Sequence, residues 1–197
     1  MQKSIFFSLL ASLFLGLGCD KQKDSPPQTG DFSCIKLFDE QGVGLGFHGG
    51  CTSSPDWGKI TLKASEQTLL NFSDTVSLTG TMPTDITRVS AFPCPATIEG
   101  TMAFYFSGNT LDTPVKVKIV VIDESYNVVY QYAIRLNTGG GLAIQIDPSR
   151  FEAGKYYRMY YQISATGFPS LYEGYGNFLV CKTEMIGTPA TIESDCF

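Results

Sequence analysis

The apolar positions of this chain fall into one unbroken block followed by a long series of alternations. Ile5 to Leu17 is a thirteen-residue apolar run broken only by Ser and Gly, with Lys3 before it and Gly18 after it. At 1.5 Å per residue such a run covers about 20 Å as a helix, short of a hydrocarbon core of about 30 Å. A positive flank, a short apolar stretch and a small residue at its end describe a cleaved secretory signal over residues 1–18. Residues 20–31 (DKQKDSPPQTGD) carry no apolar period, so residues 19–31 read as a flexible tether.

Beyond residue 31 the period becomes that of strands. Two strands, Phe32 to Asp39 and Val43 to Phe47, flank Gln41-Gly42 as a hairpin. From Trp57 to Ala64, Ile60, Leu62 and Ala64 alternate with Lys59, Thr61 and Lys63, which predicts a strand with one wet face. Ser65 to Phe72 is the one stretch that suits a short helix, with Ser65 as N-cap. Six further strands are predicted: Thr101–Ser107, Val115–Asp123, Val128–Leu136, Leu142–Asp147, Lys155–Ala165 and Tyr175–Cys181. Turn residues separate them, including Thr166 to Ser170. Four alternating rows are expected to face one another: Val115/Val117/Ile119/Val121, Tyr130/Tyr132/Ile134/Leu136, Leu142/Ile144/Ile146 and Tyr157/Met159/Tyr161/Ile163. The expectation is an all-β protein: an antiparallel β-sandwich over residues 88–181, a smaller β-rich region over 32–87 before it and a C-terminal tail over 182–197.

Composition narrows the partners. Removing residues 1–18 takes away only Lys3, leaving 13 basic against 19 acidic residues and a net charge of −6. No basic stripe stands out, which argues against nucleic acid as a partner, because phosphate binding needs clustered Lys and Arg. Six cysteines in an exported chain point to disulfides. Setting Cys19 aside leaves five, so one thiol is left over. Cys34–Cys51 closes the predicted hairpin; Cys181–Cys196 ties down the tail and leaves Cys94 free, with Cys94–Cys196 as its competitor. The sequence has one His and no Cys-x-x-Cys pair, so neither a metal site nor a cofactor is expected.

Leu15-Gly16-Leu17-Gly18-Cys19 resembles the signal of bacterial lipoproteins, in which a small residue precedes the Cys that receives diacylglycerol. The resemblance implies a mature N-terminus at Cys19. It also implies a membrane anchor of up to three acyl chains, placed at the outer membrane on its periplasmic face or the cell surface. An ordinary signal cut near Gly18 would leave Cys19 a plain thiol. Residues 88–181 also resemble the Ig-like sandwich of type IX secretion sorting domains and flagellar-hook-cap-type domains. The likeness rests on Ala91-Phe92-Pro93-Cys94-Pro95, on Val117 to Asp123 leading into Tyr126-Asn127-Val128-Val129, and on Phe151-Glu152-Ala153-Gly154-Lys155-Tyr156-Tyr157. It implies a fold and not an activity.

Candidate chemistry is sparse. His48 lies among glycines, no Gly-x-Ser-x-Gly elbow exists, and the adjacent carboxylates Asp39/Glu40 and Asp123/Glu124 stand at predicted turns. No catalytic residue is selected, and the chain is not expected to be an enzyme. The expected binding surface is aromatic: Tyr156, Arg158 and Tyr160 on the outer face of their strand, with Trp57, in a loop of its own, as a further candidate. Two functions follow. One is a lipid-anchored envelope protein whose sandwich engages another protein in interaction or assembly. The other is a glycan-binding lipoprotein that uses the Tyr-rich face.

Overall fold

A computed structural model describes residues 31–54, 56–79, 85–110, 112–182 and 196. The signal run, Cys19, most of the tether and most of the C-terminal tail lie outside these residues. Ten strands and one helix follow in chain order: β1 (Ile35–Phe38), β2 (Gly44–His48), α1 (Ala64–Leu69), β3 (Ile86–Phe92), β4 (Ala96–Thr97), β5 (Thr101–Gly108), β6 (Pro114–Asp123), β7 (Val128–Asn137), β8 (Gly141–Gln145), β9 (Tyr156–Ala165) and β10 (Phe168–Cys181).

The fold is an all-β, Ig-like sandwich. One sheet runs β3-β5-β8 and the other β4-β10-β9-β6-β7. The pairings of the sandwich strands are antiparallel, except that the two-residue β4 runs parallel to β10. Counting only the seven long sandwich strands, the first, second and fifth form one sheet, and the third, fourth, sixth and seventh form the other. Alternation builds the core between them. Val115, Val117, Ile119 and Val121 of β6 and Tyr157, Met159, Tyr161 and Ile163 of β9 are buried against Met102, Phe104 and Phe106 of β5.

The approach to β9 carries a second Ig-like feature. The Tyr157 hydroxyl accepts a hydrogen bond from the Glu152 backbone N–H at 2.8 Å, bracing the β8–β9 corner. The arrangement is that of a tyrosine corner, in which a Tyr near the start of the sixth strand bonds backbone just upstream. The Phe151-to-Tyr157 motif therefore has a mechanical role.

Three expectations need correction. The first concerns Trp57 to Ala64, which is not a strand. Trp57 takes a left-handed φ of 63°, and the segment bonds the free edge of β10 at two points, Trp57 N–H to Tyr175 O and Ile60 N–H to Glu173 O. Leu62 N–H then turns to the Glu173 side chain, which ends any ladder. The helix begins beyond it with Lys63 and not Ser65 at its N-cap, and the Lys63 N–H donates to Glu66 Oε2 at 2.8 Å.

The second is the Thr166–Ser170 turn and the loop expected up to Tyr175. The chain turns at Thr166-Gly167, with Gly167 at φ 80°, and β10 starts at Phe168. Pairing with β9 overrides the Pro and Gly content, and a register irregularity between Phe168 and Tyr172 takes up the misfit.

The third is the β7 row. Tyr130, Ile134 and Leu136 are only half-buried, and Tyr132 is 43% exposed, because β7 is the sheet edge and nothing among the described residues pairs its outer side.

Residues 31–79 dress the sandwich. The β1–β2 hairpin docks on it through mutual backbone bonds between Phe38 and Cys94 (2.9 and 3.0 Å). Phe32, Leu62 and Leu70 cover Val120, Ile122 and Tyr160 on the outer face of the five-stranded sheet, forming a second core. Each such buried apolar side chain contributes about 1.5–3 kcal/mol. Lys116 and Lys118, on the face of β6 opposite the Val115–Val121 row, both bridge to Asp74 (3.3 and 3.0 Å).

Candidate functional site: a buried polar seam and an acidic cleft

The expected Tyr156-Arg158-Tyr160 surface lies largely inside the protein. Arg158 is 4% exposed and Tyr160 fully buried. The Arg158 guanidinium sits between the rings of Phe32 and Tyr175, 4.4 Å from each centroid. Its Nε donates to Asn177 Oδ1 at 2.7 Å, and its terminal NH2 donates to Asp31 O at 3.3 Å. Asn177 Nδ2 then donates to Asp31 O and Cys34 O. The Tyr160 hydroxyl donates to Glu66 Oε1 at 3.3 Å, and burial pushes its pKa up. The row does occupy the outer face, as its parity requires. The segment that returns over that face, Asp31 to Cys34 together with α1, makes it a seam instead of a platform.

Tyr156 is half-buried, its hydroxyl 3.5 Å from His48 Nε2. Burial lowers the His48 pKa. Trp57 is 4% exposed, its ring parallel to Tyr161 with centroids 6.1 Å apart. It lies flat on Gly176, where a Cβ would collide with the indole.

Two carboxylates in the seam contrast. Burial pushes Glu173 up, but hydrogen bonds from Ser170, the Leu62 N–H, Gln67 and Gln162 outweigh it and hold the group below its ordinary value. Asp56 is 5% exposed, and its oxygens make no hydrogen bond of regular geometry among the described residues. Burial therefore pushes Asp56 up to about 6. The nearby Asn177 N–H, the Ser54 hydroxyl, Arg158 and Lys36 offset this only in part.

Disulfides join Cys34 to Cys51 and Cys181 to Cys196, and Cys94 is a free, buried thiol. Two such bonds fit a body that matures in an oxidising, extracytoplasmic compartment. Burial raises the Cys94 pKa steeply, with the charge of Asp56 adding to it, so the thiolate that a reactive cysteine needs is suppressed.

Of the concavities among the described residues, one combines apolar walls with carboxylates. A cleft of about 410 Å³ lies between the β1–β2 turn and the end of β3, with walls from Phe38, Leu45, Phe92 and Pro95 and with Asp39 and Glu40 at its rim. The turn that builds the rim is fixed: Asp39 Oδ1 accepts from the Gln41 and Val43 N–H groups at 3.0 and 2.8 Å. Gly42 has φ 75° and packs so tightly on the Phe92 ring that a Cβ would come within 2.9 Å of it. The sequence held two signals for this place, the prolines flanking Cys94 and the adjacent Asp39-Glu40. They acquire meaning only once the Phe38–Cys94 bridge brings them together.

Among the described residues no group of three His, Cys, Asp or Glu side chains is placed to hold a metal ion. No protein-family model matches the chain, and no curated protein is similar to it.

Proposed function

We propose that the protein is an exported, lipid-anchored, non-enzymatic component of the cell envelope, held at the outer membrane through Cys19 and engaging a partner protein through its sandwich. The observation that carries this reading is a body closed by two disulfides downstream of a secretory run ending in Gly18-Cys19. An oxidised sandwich on a polar tether suits a molecule that stays near a membrane and presents a rigid surface. The resemblance of residues 88–181 to type IX sorting and hook-cap-type domains bears on the fold, and the anchor makes a sorting role redundant.

The candidate reactive groups favour binding over catalysis. Cys94 is buried with its pKa raised. The Asp39 and Asp123 carboxylates accept N–H groups of their own turns. The acidic cleft is the concavity offered to a partner.

Replacing Cys19 by Ala tests the anchor. The variant moves from the membrane to the soluble envelope fraction, and its continued retention in membranes would refute the reading.

A further inference from the structure

The cleft beside the β1–β2 turn combines a fixed apolar wall with two carboxylates, Asp39 and Glu40. Phe92 is half-buried and Glu40 exposed, and both line the cleft. Among the described residues, none of those lining the cleft is Lys or Arg. Two basic side chains approach the turn from outside this lining. Arg88 donates to Gly42 O of this turn at 2.6 Å, Lys36 Nζ lies 5.3 Å from the Phe38 ring centroid, and both line a second cleft with Trp57 and Tyr172. Phe38 is common to both clefts, with the carboxylates in the lining of one and the basic side chains in the lining of the other.

A cation entering the acidic side meets ring faces and carboxylates together, the pairing that stabilises Lys and Arg side chains out of bulk water. The volume suits one long side chain and its neighbours, not a whole domain. From this geometry we infer that the cleft binds an extended peptide segment of a partner protein, seating a Lys or Arg side chain over Phe92 between Asp39 and Glu40. Aliphatic or Pro neighbours of that cation pack on Leu45 and Pro95. The inference rests on the envelope-binding reading and names the chemistry of its partner.

An array of eight-residue peptides tests it. Their central residue is Lys, Arg, Ser or Glu between Leu, Val or Pro neighbours, and the probe is the full mature protein in detergent micelles. Binding is expected on the Lys and Arg sets, about tenfold above the Ser and Glu sets, and weakened about five- to tenfold by Glu40→Lys. Position 40 is exposed in a turn, so its substitution reads charge and leaves the fold intact. Equal binding to all four sets, binding to none, or Lys and Arg binding unchanged in Glu40→Lys would each overturn the inference. A negative array with Cys19 acylated sinks the cleft and spares the anchor. A positive array with Cys19 unmodified does the reverse.

Discussion

Replacing Asp56 by Asn should make the protein's stability nearly indifferent to a titration that the native protein feels. Asp56 is 5% exposed and its oxygens make no regular hydrogen bond among the described residues, so burial raises its pKa from 3.8 to about 6. A folded-state pKa above the unfolded value means that the native protein binds the proton more tightly. The associated stability is fully present below about pH 4 and is lost as pH rises through about 6. At 1.36 kcal/mol per unit, the shift is worth about 2.5 kcal/mol between pH 4 and pH 7.5. The Asn variant lacks this contribution, and whatever burying its amide costs is the same at both pH values and cancels in the comparison. Urea unfolding of both proteins at pH 4 and pH 7.5, followed by the fluorescence of the single Trp, measures it. The native protein should gain about 2.5 kcal/mol relative to Asp56→Asn on acidification. A difference that stays constant within about 0.5 kcal/mol would refute the reasoning and show the buried carboxylate to be paired.

Three further outcomes follow from the packing. Gly176→Ala places a methyl group on the Trp57 indole; it should cost about 1–3 kcal/mol and red-shift Trp emission as the ring is driven out, and an unchanged spectrum would contradict the stacking. Tyr157→Phe removes the acceptor for the Glu152 N–H and should lower stability by about 1–2 kcal/mol in urea titrations, with circular dichroism unchanged. In a Cys19→Ser protein, a thiol reagent should find no reactive group in the native state and one, Cys94, after unfolding in urea without reductant.

The sandwich was legible in the sequence because its strands alternate. Val115 to Val121 and Tyr157 to Ile163 declare their inner faces by parity alone, and both rows are buried. Parity identifies the two faces of a strand, but it cannot say whether the second meets water. Tyr156, Arg158 and Tyr160 were placed on the correct side of β9, yet Arg158 and Tyr160 are covered by Phe32, α1 and the chain around them. Trp57 was hidden for a related reason: its resting place is the bare backbone of Gly176, more than one hundred residues away in the chain. The two disulfides followed from local chain return, each closing a span of under twenty residues. The cleft did not, since it depends on the contact between Phe38 and Cys94 across the chain. Local pattern thus reached the fold and the cross-links, whereas the site needed long-range packing.

How the protein is held at the envelope is written in the chemistry of its N-terminus. Mass spectrometry of the N-terminal peptide, from protein purified out of the membrane fraction, addresses it directly. The expected mature chain begins at Cys19 and carries a thioether-linked diacylglycerol. A mature chain beginning at any other residue, or at a Cys19 with an unmodified thiol, would contradict it.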